Sequence, residues 1–433
     1  MLNHVLPPDT QAILLLCGSF GQSRQLEPQP LTLSEYNSLA EWLRENQMRP
    51  ADLLEPTAKK QLEKITGKVY PERLLALLER GAMLSLAVEK WTSQGLWILG
   101  RSDTKYPKVF KQRLRHSAPP ILYGVGNIEL LSLGGLAIVG SRDVSEEILT
   151  YTGRVAQRIA LEGMQVISGA ARGVDQQAML GVLHAGGTSV GVLADSLTKA
   201  AVNSNYRSSI KEGRLTLISS YDPEAGFNVG NAMGRNKYIY ALADYALVVN
   251  SSVGKGGTWA GAVEALSQAQ QIPIFVRTHP TASEGNQQLC NHGAQPFPAE
   301  PWNDSLKELL AKATSAVETV EIETVNSPIE TQTSQQGLSS PTHSIYEAVL
   351  PILLNHLQQP KDIKSLAQYL EVRQSQMQDW LNRAVEEGMV RKTTKPVAYV
   401  VNQSATQLSL LSSSPEALTN MSFEVNMLTR AQP

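Results

Sequence analysis

Between Gly135 and Gly173 one pattern occurs twice, and it limits what the chain can fold into. An apolar run, Leu136–Gly140, ends in Ser141, Arg142, Asp143, Val144 and Ser145 before a helical stretch; a second run, Gln165–Ser168, ends in Gly169–Gly173 before another. Short apolar runs that stop at glycine and are followed by amphipathic helices are the repeating units of a parallel sheet buried on both faces. Loops of this kind aim backbone N–H groups and a helix N-terminus at one point, where an anion is favoured. Each loop adds one arginine, Arg142 and Arg172, whose guanidinium can fork onto phosphate oxygens. The expectation is a site for a phosphate backbone.

The alternation continues to about Thr314. Further strands are expected at Ser189–Ala194, Leu215–Ser220, Ala246–Asn250 and Pro273–Val276, with helices at Glu146–Glu162, Gln176–Ala185, Tyr206–Glu212, Lys237–Ala243 and Trp259–Gln270. The expected fold class is α/β: a doubly wound, mostly parallel Rossmann-like sheet over residues 131–314, with its site at the carboxyl ends of the strands.

The flanks read differently. Residues 1–130 predict a small N-terminal helical domain, with helices at Leu33–Asn46, Lys59–Thr66 and Glu72–Gln94, a strand-like run at Leu96–Leu99 and an extended connector around Pro119 and Pro120. Residues 315–341 are rich in Thr, Ser, Gln, Glu and Pro without a sustained period, which predicts a disordered linker. Residues 342–403 predict three helices, Ile345–Leu357, Asp362–Leu370 (Asp362 as N-cap) and Gln374–Glu387, and then a hairpin with a basic tip, Arg391, Lys392 and Lys395. That is the pattern of a winged helix-turn-helix. Residues 404–433 read as a flexible tail.

Composition excludes some classes. The 433 residues carry a formal charge of −2, so the protein is not coated in basic charge, although a local basic groove is enough to hold nucleic acid. Two cysteines, Cys17 and Cys290, give neither a disulfide framework nor metal-ligand spacing, and the seven histidines are scattered. No metal or cofactor is expected. No apolar run is long enough to span a membrane, and residues 1–10 lack a secretory signal, so a cytoplasmic location without membrane contact is expected.

Four clusters at successive strand ends are the candidate site. Gly140, Ser141, Arg142 and Ser145 form the first; Gly140 allows a tight turn and Ser145 can cap the next helix, although a glycine after a strand also serves as plain turn chemistry. Ser168, Gly169 and Arg172 form the second, where small residues permit close approach and Asp175 can be a simple helix cap. Arg235, Asn236 and Lys237 open a helix behind Gly234, pointing to an anion or to a solvated face. Lys255, Gly256, Gly257 and Thr258 follow the fifth strand and supply donors for another phosphate or a ribose. That loop is not a P-loop, because no Gly-Lys-Ser/Thr closes it, so nucleotide triphosphate hydrolysis is disfavoured. Asp195 and Glu264 are the carboxylates expected near the crevice, with structural roles the simpler reading. Arg383 and the glutamines Gln374, Gln376 and Gln378 share a helix with Asp379, Glu386 and Glu387, so that helix suits protein contact as well as nucleic acid.

In order along the chain, Asp103, Tyr106-Pro107, Pro119-Pro120, Ala137–Arg142 with Ser145, Ser168-Gly169, Gly173–Asp175, Arg235–Lys237, Gly256–Thr258, Gly285-Asn286 and His292–Ala294 resemble the DprA/Smf DNA-processing family over about residues 95–300. The resemblance implies a Rossmann-like core that binds single-stranded DNA and is non-catalytic. It also implies a homodimer through the core and a RecA-type recombinase as partner in natural transformation. The residues it would place in the DNA pocket are Gly140, Ser141, Arg142, Ser145, Arg235, Asn236 and Lys237. The sequence departs from the family pattern at Ser219–Pro223, at Ala232–Gly234, at Asn250 and at Gly254–Thr258. The last of these, with Glu264, leans toward a second reading, a nucleotide sensor or LOG-like nucleotide phosphoribohydrolase using Gly-Gly-Thr and Glu.

Overall fold

The computed structural model describes residues 6–21, 28–63, 65, 70–267, 272–314, 345–370, 372, 374–387, 389–394 and 397–402. The expectations for the linker at 315–341, for the tail at 404–433 and for Lys395 fall outside these residues. Residues 1–328 form one compact unit and 329–433 a second.

In the first unit, the apolar runs become strands because each alternates its side chains between two covered faces. The strands are β1 (Trp97–Gly100), β2 (Ile121–Gly126), β3 (Leu136–Gly140), β4 (Gln165–Ser168), β5 (Thr188–Val192), β6 (Leu215–Ser219), β7 (Tyr245–Asn250), β8 (Ile274–Val276) and β9 (Gln295–Pro296). They form one nine-stranded sheet in the order β1-β2-β6-β5-β4-β3-β7-β8-β9. The pairs from β6 to β9 are parallel, while β1–β2 and β2–β6 are antiparallel. From β3 the chain winds outward to β6, then crosses back to place β7 on the other side of β3. The strand order therefore reverses between β3 and β7, the topological switch point of a doubly wound sheet. The expected fold class holds.

Leu136 and Ile138 of β3 enter one apolar core, and Ala137 and Val139 the other. This period of two is why a near-continuous apolar strand can be satisfied on both faces. The first core also takes in Ile13, Leu14 and Leu16 of helix α1 (Pro8–Cys17) and Trp91, so the N-terminal helices and the sheet share a single apolar interior. The expected extended connector supplies β2, and Trp97–Gly100 supplies the edge strand β1.

Local chemistry sets the helix ends. Helix α2 (Leu33–Glu45) begins at a capping box: the Thr32 hydroxyl accepts the Glu35 N–H at 3.3 Å and the Glu35 carboxylate accepts the Thr32 N–H at 2.8 Å. The periodic stretch Glu72–Gln94 is two helices, Pro71–Leu78 and Gly81–Ser93. Between them the buried Arg80 guanidinium donates to the main-chain carbonyls of Leu77, Leu15 and Gly18. A buried cation satisfied by helix-terminal carbonyls fixes the break, which apolar spacing alone does not show.

In the second unit, helices Ile345–His356, Ile363–Tyr369 and Gln374–Glu386 are followed by the antiparallel hairpin Val390–Thr394 and Val397–Val401. Leu353, Leu366, Met377, Leu381 and Tyr399 form its core. Asp362 caps the second helix, accepting the N–H groups of Lys364 and Ser365. Arg391 and Lys392 are exposed on the hairpin. Gln378 donates to Asn382 and to the Tyr399 hydroxyl, and Arg383 pairs with Glu387, so these polar groups of the third helix are engaged within the unit.

Candidate functional site

The switch-point crevice between β3 and β7 is closed. The Ser141 N–H and hydroxyl donate to the Asn250 carbonyl at 3.0 and 3.2 Å, and the Asn250 amide donates to the Ser141 hydroxyl at 3.2 Å. From the helix Gly256–Ser267 the Thr258 hydroxyl donates to the Gly140 carbonyl at 3.0 Å. Ser141 and Thr258 are therefore spent in tying the two loops together. Lys255 is exposed and Gly256 takes φ +80° to start the helix.

The open space lies to one side, over β4 and β5. A cavity of about 310 Å³ is lined by Arg142, Gly169–Arg172, Leu193–Asp195, Phe227, Ala232 and Arg235. Arg142 is exposed, and its guanidinium rests over the Phe227 ring at 5.1 Å. Arg172 is exposed and ion-paired with Asp143. Arg235 is buried, and its Nη1 donates to the Val192 carbonyl at 2.7 Å. Burial lowers the Arg235 pKa, opposed by Asp175 and assisted by the like charge of Arg142. Its Nε is buried without a hydrogen-bond partner.

Gly169 is required by this arrangement, since a Cβ there would lie 1.6 Å from Arg235 Nη1. The small residues at 168–171, expected to admit a ligand backbone, here admit an arginine of the protein itself. Asp175 is the feature that the sequence placed least well. It lies inside the helix Val174–His184, buried, with its carboxylate accepting the Gly140 N–H at 3.3 Å and facing the Gly169 and Ala171 N–H groups. Burial pushes its pKa up to about 6, against the pull of Arg235 and of those N–H groups. Several loop donors expected to aim at a ligand are held by this internal anion instead, and the ligand is left with side-chain cations.

The remaining expected residues separate. Ser168 is buried and its hydroxyl donates to the Ile138 carbonyl at 2.6 Å, bracing β4 against β3. Ser145 occupies the N-cap of the helix Glu146–Leu161, but its side chain makes no cap hydrogen bond. Arg235, Asn236 and Lys237 point three ways, because successive residues at a helix start are rotated by about 100°. Asn236 donates to the Gly257 carbonyl at 2.8 Å. Lys237 is half-buried, its Nζ 5.3 Å from the Tyr238 ring; burial lowers its pKa and Glu264 raises it. Of that triplet only Arg235 lines the cavity. Asp195 lines the cavity, while Glu264 is exposed on the helix Gly256–Ser267 and does not. Sequence reasoning missed Phe227, whose signal was an isolated aromatic flanked by Gly226 and Asn228.

Other motifs prove to be braces. Asn286 Nδ2 donates to the carbonyls of Val248, Val249 and Arg277, and Ser251 donates to its Oδ1. The Asp103 carboxylate accepts the Thr10 hydroxyl and the Gly100 N–H, and the Tyr106 hydroxyl donates to the Pro119 carbonyl. Among the described residues no group of His, Cys, Asp and Glu could hold a metal ion, and no helix is long and apolar enough to cross a membrane.

The first unit is thus a doubly wound α/β scaffold with a small arginine-lined cavity beside the switch point between β3 and β7. The family model described as DNA recombination-mediator protein A matches residues 97–309. DNA processing protein DprA of Bacillus subtilis (strain 168) is 25% identical over 184 residues, 42% of this chain and 61% of that protein. Protein Smf of Escherichia coli (strain K12) is 29% identical over 181 residues, 41% of this chain and 48% of that protein. The X-ray structure of DprA from Streptococcus pneumoniae matches with a TM-score of 0.53 at 22% identity, covering 67% of this chain and 94% of that one, a likeness of fold. The chain thus spans between about half and three-fifths of these two curated relatives. Over residues 97–309 the chain matches the DprA/Smf family.

Proposed function

We propose that this chain binds single-stranded DNA at the arginine-lined cavity, without catalytic turnover, as a DNA-processing protein that protects incoming strands. The observation that carries the reading is the convergence of Arg142, Arg172 and Arg235 on one cavity at the carboxyl ends of β4 and β5, with Phe227 beneath Arg142. Exposed guanidinium forks suit phosphodiester oxygens, and an aromatic face at the rim suits a base of any identity. Resemblance to the family over residues 97–309 supports the rest of the reading: a homodimer through the core, hand-over of the strand to a RecA-type recombinase, a winged helix at residues 342–403, and a cytoplasmic setting.

Titration of fluorescent oligo-dT against duplex DNA and nucleoside monophosphates tests the proposal. Tighter binding of oligo-dT than of either competitor, weakening with salt, is the expected result. Equal or tighter binding of a mononucleotide would overturn it. Release of free base from nucleoside monophosphates, followed by chromatography, would instead favour the phosphoribohydrolase reading, although Thr258 and Glu264 do not meet at this cavity.

A further inference from the structure

A second recessed surface shares no residue with the arginine-lined cavity. It is an open groove of about 1050 Å³ between α2 and the segment running from Arg101 to Ser117, which includes helix Lys108–Leu114. Its walls are held together by hydrogen bonds: the Asn37 amide donates to the His116 carbonyl at 2.7 Å, and Arg101 Nη1 donates to Asn37 Oδ1 at 2.9 Å. The groove is therefore formed before any partner arrives, so little ordering cost falls on binding.

Its charge is one-sided. Arg44, Arg101, Lys111 and Arg115 line it, and Glu41 is the lining carboxylate among the described residues, already paired with Arg44 at 3.3 Å. On a chain whose formal charge is −2, this clustering is local. The floor is aliphatic, with half-buried Leu33, Ala40 and Met48.

We infer that this groove is a docking site for an acidic, amphipathic peptide segment of a partner protein. The cationic rim requires an anionic occupant, and the floor decides between the candidates. A nucleic-acid strand needs aromatic faces on which bases stack. Of the two rings lining this groove, Tyr36 is 2% exposed, which leaves the single exposed imidazole of His116 rather than a run of stacking faces. An aliphatic floor instead takes Leu- or Ile-like side chains, while alternate carboxylates reach the rim. The volume stands at the upper end of small-molecule sites and suits an extended segment.

The test uses the full chain and a short fluorescein-labelled peptide alternating Glu and Leu, followed by fluorescence anisotropy. The peptide is expected to bind, and its Lys-for-Glu counterpart is not. Lys111→Glu should weaken peptide binding at least about tenfold, as when a charge-assisted contact becomes a repulsion, and leave oligo-dT binding unchanged. Arg44→Ala, a milder change on the opposite wall, should weaken it in the same direction. Failure of the acidic peptide to bind, binding indifferent to both substitutions, or displacement of the peptide by oligo-dT would each overturn the inference. Loss of oligo-dT binding in wild-type protein would touch only the function proposed for the other cavity.

Discussion

Arg142→Ala separates a phosphate contact from a structural arginine. Arg142 is the exposed cavity cation that rests on an aromatic ring, whereas Arg172 is ion-paired with Asp143 and Arg235 is buried against Val192. If Arg142 holds one phosphate, its removal should flatten the slope of log K against log salt by about 0.7 for a single strand. Between about 50 and about 200 mM salt, that difference amounts to a decline about 2.6-fold shallower than in the wild type. At low salt the lost charged hydrogen bond costs about 1.5–3 kcal/mol, roughly 10- to 150-fold in affinity. Arg142→Lys keeps the charge but loses the planar fork and the seat on Phe227, so it should restore the slope and only part of the affinity. Fluorescence anisotropy with oligo-dT at several salt concentrations reads both quantities. An unchanged slope together with an affinity within about twofold of the wild type would refute the assignment, since no phosphate contact can be removed without moving the slope.

Other perturbations read other parts of the same site. Asp143→Asn releases Arg172 from an exposed ion pair and should tighten oligo-dT binding by about two- to fivefold, as measured in the same assay. Phe227→Ala removes both the seat of Arg142 and an exposed ring; a loss of about 1–3 kcal/mol is expected if a base stacks there, with the salt slope retained. Gly169→Ala drives a Cβ into Arg235 and should destabilise the core by about 2 kcal/mol through the lost Val192 contact, seen as a lowered unfolding temperature in calorimetry. Asp175 gives a pH dependence. Its pKa rises from 3.8 to about 6 on folding, so the folded state binds the proton more tightly and this group destabilises the fold above about pH 6. The penalty, about 3 kcal/mol, should be relieved as pH falls from 6 to 4, and Asp175→Asn should flatten thermal stability across that window.

The sheet was legible because each strand is a short apolar run bounded by glycine or polar residues. β3, β4, β6 and β7 begin and end within a residue of where the pattern puts them. Phe227 and the buried role of Arg80 were not legible, because nothing local distinguishes a buried arginine from an exposed one. The Arg235–Lys237 triplet divides for a geometric reason: adjacency in sequence is divergence on a helix, and one residue reaches the cavity while its neighbours turn to Gly257 and Tyr238. Ser168, Ser141 and Thr258 have the residue types of a phosphate loop, but each hydroxyl meets a main-chain carbonyl first. Donor type can be read from sequence; whether the donor is already engaged cannot.

The closed switch point bears on the size of the ligand. A mononucleotide in a doubly wound sheet gains most from the crevice between the reversing strands, where two loops offer free N–H groups. Here Ser141, Asn250 and Thr258 bridge that crevice, and the Asp175 carboxylate engages the Gly140 N–H. What remains open is cationic and lined by exposed Phe227, and the helix Val229–Gly234 that contributes Ala232 to it also exposes Val229 and Met233. A cavity of about 310 Å³ is at the lower limit for a complete small ligand. A ligand that seats one phosphodiester there and continues across the apolar rim gains contacts that a free nucleotide cannot reach. The closure of the crevice therefore favours a strand over a nucleotide on the same grounds that the arginines favour an anion.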